Sequence, residues 1–459
     1  MVGPDYLRPE TAANTEGGFY YAGRHIQDMN QIDREDRWWQ SFGDDTIAVL
    51  VSKALKNNYD LKAAAARVLQ AQKILDQASG ALWPQVSYDI SRSKSKSSFN
   101  FGPFGRQTFY SKQYDHGISA IYTLDFFGKL RRTRRAAWAD FFATDANKKA
   151  LVNATIATVV QSRIDIAVLK RRIEIAENNI KSQQNTLEIV EKRYQQGSVG
   201  PVDVRLAREN LESSQAMLVS MQLLLKQSLL ALDVLLGQRP GTTRDLPGTL
   251  AQLPDPEPVT IGLPATLLDR RPDVIAAEES LRAANERIGV SIAQLYPDLT
   301  ITGNWGMTGD SSRNLLDDDF EVYNLIMQAA QPLFMGGQLL ARIDESKARF
   351  EELAANYANT ILIALREVED ALLSEQMLNL QLKHVELRLQ EAMAAEQLSR
   401  DRYERGLEGI LTVLDSERRR IGAEDELTQL RGRIWNTRVN LYLALGGDWA
   451  AESQKKEKI

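Results

Sequence analysis

Few residues in this chain are of the kinds that carry chemistry, and their spacing limits what they could do. There is no cysteine among the 459 residues, which removes disulfide frameworks, cysteine-based zinc sites and thiol nucleophiles together. Histidine occurs only as His25, His116 and His384, a poor provision for histidine-driven acid–base work. The loop Asp310–Phe320 carries Asp317-Asp318-Asp319; these carboxylates could face a cation, but without EF-hand spacing they read as a solvated acidic loop, and no metal is expected. No phosphate loop, HExxH pair or nucleophile elbow is present. The chain is therefore not expected to be an enzyme or to need a cofactor. With 56 Lys and Arg against 61 Asp and Glu, a net charge of −5, nothing favours nucleic acid.

The elements around these residues say more. The chain is 43% hydrophobic and 25% charged, and its best apolar window, Leu151–Leu169, is broken by Gln161, Arg163 and Asp165, so no transmembrane helix is expected. No secretory leader precedes Val2-Gly3-Pro4-Asp5-Tyr6. Composition taken alone places the protein in the cytosol, or implies that a leader has been removed.

Internal repeats overturn that reading. Asp60 and Asp273, Ala71 and Ala284, and Pro84 and Pro297 are each 213 residues apart. Gly128-Lys129-Leu130 then matches Gly337-Gln338-Leu339, Arg193-Tyr194-x-x-Gly197 matches Arg402-Tyr403-x-x-Gly406, and Leu236-Gly237 matches Leu445-Gly446, all at an offset of 209. The four-residue loss implies a shorter loop between Pro297 and Gly337. The expected organisation is an N-terminal extended segment and first helix (1–57), a first repeat (58–252), a linker (253–270) opening on Leu253–Pro258, a second repeat (271–447) and a polar tail (448–459).

Each repeat reads as the same four pieces. An amphipathic helix stops at a Trp-Pro or Tyr-Pro step. A strand pair follows, expected within 85–127 and 298–335. Val86, Tyr88 and Ile90 alternate with Ser87, Asp89 and Ser91; Ile118, Ala120, Tyr122 and Leu124 alternate with Asp115, Gly117, Ser119 and Thr123. Leu299, Ile301, Trp305 and Met307, then Tyr323, Leu325, Met327, Ala329 and Leu333, repeat the pattern, so each strand has one apolar face. The aromatic stretch Ser97–Tyr110 suits an extracellular loop. A helix over 129–196, and its copy over 337–405, runs 65 residues between Leu130 and Tyr194 without Pro or Gly, roughly 100 Å at about 1.5 Å per residue. Its 3-4 spacing, Val152, Val159, Ile166, Ile173, Ile180, Leu187 and Tyr194 among others, predicts coiled-coil packing, with Thr155, Ser162, Gln183, Glu375, Glu396 and Ser399 as polar exceptions. Glycine tips (Gly197–Gly200 and Gly406–Gly409) turn the chain into return helices over 201–236 and 409–445.

Four long strands cannot close a barrel alone, and open apolar edges aggregate. A homo-oligomer that pools strands into one membrane barrel and helices into one tube resolves both problems. A soluble coiled-coil scaffold or tethering protein is the alternative.

Four stretches of the sequence resemble the TolC-like outer-membrane efflux proteins, the outer-membrane factors of tripartite RND-type drug or metal pumps: Val2–Pro9, Trp38–Asp44, Leu263–Asp273 (Leu-Pro-Ala-Thr-Leu-Leu-Asp-Arg-Arg-Pro-Asp) and Tyr403–Asp415. The resemblance implies a mixed α and β membrane protein, a trimer with a 12-stranded barrel (four strands per chain) continuous with a periplasmic α-helical barrel. It implies a passive exit duct in the outer membrane, docked on a periplasmic adaptor and an inner-membrane transporter. It also implies a lipidated cysteine just ahead of the Pro-x-Tyr-x-Arg-Pro segment, where this chain has Met1.

By the same resemblance, Leu411, Asp415 and Arg418 fall at the periplasmic constriction. Their i, i+4, i+7 spacing puts them on one helix face, where Arg418 could pair with Asp415; a plain solvated face is the alternative. Asp203, Arg402 and Tyr403 match positions that link neighbouring hairpins, with simple heptad packing as the rival for Tyr194 and Tyr403. Some relatives carry Arg where this chain has Glu408, and a second Asp where it has Thr412. Gly197, Ser198, Gly200, Gly406, Leu407 and Gly409 are the implied adaptor-docking tips. Ile118, Ala120, Tyr122, Leu299, Ile301, Tyr323, Leu325 and Met327 are expected to face lipid.

Overall fold

The computed structural model describes residues 1–10, 18–22, 26–27, 38–248, 260–261 and 270–447. The tail 448–459, His25 and all but three residues of the expected linker 253–270 lie outside the described residues. The chain divides into two units: 1–10, 67–145 and 276–358 form the first, and 11–66, 146–275 and 359–459 the second.

The elements recur in two matched sets. Helices α1 (Asp45–Asn57) and α2 (Tyr59–Gly80) lead into strands β2 (Gln85–Asn100) and β3 (Arg106–Leu124), then α3 (Lys129–Gln195) and α4 (Pro201–Leu235). The second set is α5 (Pro272–Ala293), β5 (Asp298–Gly309), β6 (Glu321–Ala330), α6 (Gln338–Glu404) and α7 (Ile410–Ala444). Two-residue strands β1 (Ile26–Gln27) and β4 (Thr260–Ile261) pair in parallel. The paired helices match in length, 67 residues for α3 and α6 and 35 for α4 and α7, as duplication requires.

In the first unit the four long strands make one antiparallel sheet in the order β2-β3-β5-β6. Its register aligns the alternating apolar positions: Tyr88, Ile118, Trp305 and Tyr323 form one cross-strand row, and Tyr122, Ile301 and Met327 another. All eight residues expected to face lipid therefore share one face. Three expectations need correction. Leu333 lies beyond β6, which ends at Ala330, because Pro332 has no N–H to give a ladder. The stretch 97–110 is mostly strand, and only 101–105 forms the turn, tightened by a hydrogen bond from Phe101 N to Gly105 O at 2.9 Å. The four-residue offset is no simple loop difference: β2 and β3 span 16 and 19 residues against 12 and 10 for β5 and β6, while the connection is 101–105 against 310–320.

The N-terminal segment is strapped onto this unit. Arg132, almost wholly buried, donates to the carbonyls of Val2 (2.8 Å) and Gly3 (3.0 Å) and pairs with Glu286 at 2.9 Å. Gly289 makes the room, since a Cβ there would stand 2.2 Å from Arg132 Cδ. Val2 N donates to Phe127 O at 3.0 Å, so the first residues sit where β3 gives way to α3.

In the second unit the Trp38–Phe42 turn buries Trp38, Trp39 and Phe42 against Ile156, Val160, Leu232 and Trp435. Asp44 caps α1 through Thr46 N at 2.8 Å and pairs with Arg163 at 2.9 Å. The two repeats close alike: Asn58 Nδ2 donates to Leu235 O (2.9 Å) and Arg271 Nη1 to Ala444 O (2.9 Å), so equivalent residues secure the last carbonyls of both return helices. The Arg-Arg-Pro-Asp motif is therefore structural: Arg271 also binds Asp273 and Glu367, each at 2.7 Å. Along α6 the heptad positions Ile361, Ala364, Val368, Ala371 and Val385 are buried. By length and composition alone α3 and α4 are apolar enough to cross a membrane, but more than half of the apolar stretch of α3 is buried within the fold; α4 leaves Met217, Val219, Leu223 and Val234 exposed.

Candidate functional site

The glycine tips and the helix turns beside them bring together the residues that the sequence singled out. At the first tip Gly197 adopts φ +71°, donating to Tyr194 O, while Ser198 N donates to Arg193 O. At the second, Gly406 has φ +75° and donates to Tyr403 O, while Leu407 N donates to Arg402 O. Each bond is 2.9 Å. Both are helix C-terminal motifs that need a left-handed residue, which explains the glycines. Gly200 and Gly409 precede the return helices as N-caps. A Cβ at any of the four glycines would meet nothing within 4 Å, and Leu407 is 65% exposed. The tips are open surface in the single chain.

Leu411, Asp415 and Arg418 lie on one side of α7, Leu411 64% exposed, Asp415 partly exposed and Arg418 exposed. The expected Asp415–Arg418 pair is not formed. Asp415 instead accepts from Arg419 Nε at 2.8 Å, a pairing one residue further along, because i,i+4 side chains meet as readily as i,i+3.

The expected link among Asp203, Arg402 and Tyr403 also differs. Tyr403 is 4% exposed and packs with Val190, Ala207, Ile410, Val413 and Leu414. Its hydroxyl has no hydrogen-bond partner among the described residues, so no Asp203–Tyr403 bond exists within the chain. Beside the tips, Arg193 joins the hairpins: its guanidinium sits 4.5 Å from the Tyr403 ring centre and donates to Glu404 O at 3.0 Å. Tyr194, the equivalent of Tyr403, is 47% exposed, so the two tyrosines do not share one packing role. Arg402 pairs with Glu408 at 3.4 Å across its own tip, and Thr412 donates to the same carboxylate at 3.1 Å. Glu408 thus stiffens the turn.

Behind the tips lies a buried polar network. Arg400 donates to Glu417 (2.8 Å), Glu396 (3.0 Å) and Ser182 (3.0 Å). Arg420 pairs with Glu396 and Glu424 and donates to Asn179. Glu417 is fully buried, accepts from Thr186 at 3.2 Å on the same oxygen as Arg400, and leaves Oε2 without a partner. Burial pushes its carboxyl above the ordinary range, against the pull of Arg400. Further along, Glu375 and Arg438 form a buried ion pair at 2.7 Å. The polar heptad exceptions Gln183, Glu375, Glu396 and Ser399 were the available signal, and all four are buried; Glu417 and Arg420 left no periodic trace.

Comparison with known proteins decides what this arrangement belongs to. The family described as Outer membrane efflux protein matches residues 50–238 and 263–447. The chain is 31% identical to the pyoverdine export outer membrane protein OpmQ of Pseudomonas aeruginosa, over 98% of this chain and 94% of that one. It is 27% identical to the cation efflux system protein CusC of Escherichia coli, covering 97% and 96%. The solved outer-membrane channel OprN superposes with a TM-score of 0.90 at 28% identity, covering 98% of this chain and 99% of that one. The chain belongs to the outer membrane efflux protein family.

The fold class, place and function are those of the family. The duplicated chain contributes four strands to a 12-stranded trimeric barrel and its helices to a coiled-coil barrel. The protein lies in the outer membrane, extends into the periplasm, and is the exit duct of an efflux pump. Outer membrane efflux proteins are channels.

Proposed function

We propose that this duct is closed at its periplasmic end by the face of α7 next to the second tip. The observation that carries the proposal is Leu411, a large apolar side chain 64% exposed at the start of α7, on the same face as Asp415 and Arg418. Three copies of Leu411 around a threefold axis block passage sterically, and three of Asp415 repel anions and attract cations. Arg419 damps the Asp415 charge. Arg193, stacked on Tyr403, holds the two hairpins of one chain together, and Arg402 stiffens the tip through Glu408; Asp203 contributes to a separate contact between hairpins of neighbouring copies.

The open glycine tips, with Ser198 and Leu407, dock a periplasmic adaptor, which couples the duct to an inner-membrane RND-type transporter. The protein carries out no catalysis; what passes is set by the transporter. The face bearing Ile118, Ala120, Tyr122, Leu299, Ile301, Tyr323, Leu325 and Met327 turns to lipid. The native N-terminus carries a lipid anchor, a reading supported by the strap that holds residues 2 and 3 at the end of β3. The two repeats, 58–252 and 271–447, act as equivalent hairpin units around the duct.

Planar-bilayer recording of the purified trimer tests the charged ring. Asp415→Ala is expected to lower cation preference, read as a shift in reversal potential across a salt gradient. An unchanged reversal potential rejects the ring.

A further inference from the structure

The first strand hairpin outruns the second. Beyond the row Arg92–Tyr114–Gly309, β2 and β3 continue as a two-stranded ribbon to the turn at Gly102–Phe104. On the face that carries Val86, Tyr88, Ile90, Ile118 and Tyr122, this ribbon changes character within one alternation. The next positions on β2 are Arg92, Lys94 and Lys96, and β3 adds Lys112 and Arg106. All five are exposed, and none forms an ion pair with a carboxylate among the described residues. The opposite face of the same stretch of β2 carries Ser91, Ser93, Ser95 and Ser97.

Solvation alone does not sort charge in this way, because both faces of a ribbon in water are equally wet. The sorting also has a cost. Lys94 and Lys112 are direct cross-strand partners, and like charges directly opposite destabilise a sheet. Arg92 and Lys96 flank that pair on the same face. Each rests on a tyrosine, Arg92 5.3 Å from the Tyr114 ring centre and Lys96 5.4 Å from that of Tyr110, so the rings support the cations while leaving their donors free. The single carboxylate on this face of the four strands, Glu321, lies on β6, where it accepts from Trp305 Nε1 at 2.7 Å. A cluster of unneutralised cations continuous with an apolar, aromatic-edged face calls for an external anion that sits at the membrane boundary.

We propose that Arg92, Lys94, Lys96 and Lys112 form a binding surface for the phosphate-bearing headgroups of outer-leaflet lipid. The strands leave the helices at Gln85 and return to them after Leu124, so the ribbon is the end remote from the periplasm and its cations stand on the outer-leaflet side of the apolar band. Lysine ammoniums and the arginine fork are the donors that suit phosphate oxygens. The proposal rests on the assignment of this face to lipid.

The test uses the full-length trimer in phosphatidylcholine nanodiscs with added lipopolysaccharide or its dephosphorylated form, bound lipid being counted by native mass spectrometry. K94S/K96S/K112S should weaken lipopolysaccharide binding by roughly five-fold for each cation removed, while K94R/K96R/K112R retains it and the dephosphorylated lipid binds poorly to every variant. Equal binding by the serine variant, or equal binding of the dephosphorylated lipid, overturns the proposal. If the serine variant instead changes channel conductance and leaves lipid binding intact, the cations line the lumen, and the lipid-face assignment falls as well. If it dissociates the trimer, and Asp317→Asn/Asp318→Asn/Asp319→Asn does the same, the cations pair between copies and the proposal fails while the lipid face stands.

Discussion

Removing Arg400 should open the tip region through Glu417, and the structure sets how far. Glu417 is fully buried, and the two groups that neutralise or bond it, Arg400 at 2.8 Å and Thr186 at 3.2 Å, share its Oε1. Arg400→Met leaves a buried carboxylate with one hydroxyl donor. Breaking one side of a buried ion pair typically costs about 3–5 kcal/mol, and about 1.4 kcal/mol is tenfold in an equilibrium. Arg400 is partly exposed, so the lower end of that range applies, on the order of 100-fold. Hydrogen exchange of the backbone amides of 182–190 and 396–420 in the assembled trimer reads the local opening directly. The effect should depend on pH in a defined direction. A carboxyl whose pKa is raised in the folded protein has its stabilising contribution fully present below the ordinary value of 4.5 and loses it as pH rises through the raised value. Protection in Arg400→Met should therefore recover as the solution is acidified through the raised value, and R400M/E417Q should restore it at neutral pH. Unchanged exchange in Arg400→Met at neutral pH, or a double variant that opens more than the single one, would refute the reasoning.

Other perturbations follow from equally local geometry. Gly289→Ala forces a Cβ onto Arg132, which should cost about 1–3 kcal/mol and release the first ten residues to limited proteolysis; an N-terminus that stays protected contradicts the strap. Arg271→Met removes donors from Ala444 O, Asp273 and Glu367, and the melting temperature of the trimer should fall by an amount corresponding to about 1–3 kcal/mol. On β6, Leu325→Arg should reduce trimer yield in the outer membrane, a mid-membrane arginine on the lipid face costing about 2–4 kcal/mol, whereas Gln328→Arg on the opposite face should be tolerated; equal yields would place lipid elsewhere.

Much of this molecule could be read from its sequence because its repeats and periods are strict. Matched offsets set the duplication, and alternation placed Ile118, Leu299 and Met327 on one face before any register was known. The heptads placed Val159 and Val368 in buried positions. What the sequence left hidden depends on partners far along the chain or on a choice between neighbours. Asp415 pairs with Arg419 rather than Arg418 because helix geometry admits both and the rotamer decides. Arg132 owes its burial to Gly289, more than 150 residues away. Glu417 is held by Arg400 from another helix, a pairing that no local pattern announces. Glu396 and Glu375 were visible only as polar residues in apolar seams, with nothing in the spacing to name Arg420 or Arg438 as their partners.

The central claim is that the exit duct is shut by the α7 face beside its tips. Single-channel conductance of the Leu411→Ser trimer in planar bilayers, measured beside the unaltered protein, tests it most directly. Removing three exposed leucines should raise conductance or open probability well above that of the unaltered channel, with the trimer intact by mass. Conductance identical to that of the unaltered trimer would place the constriction elsewhere.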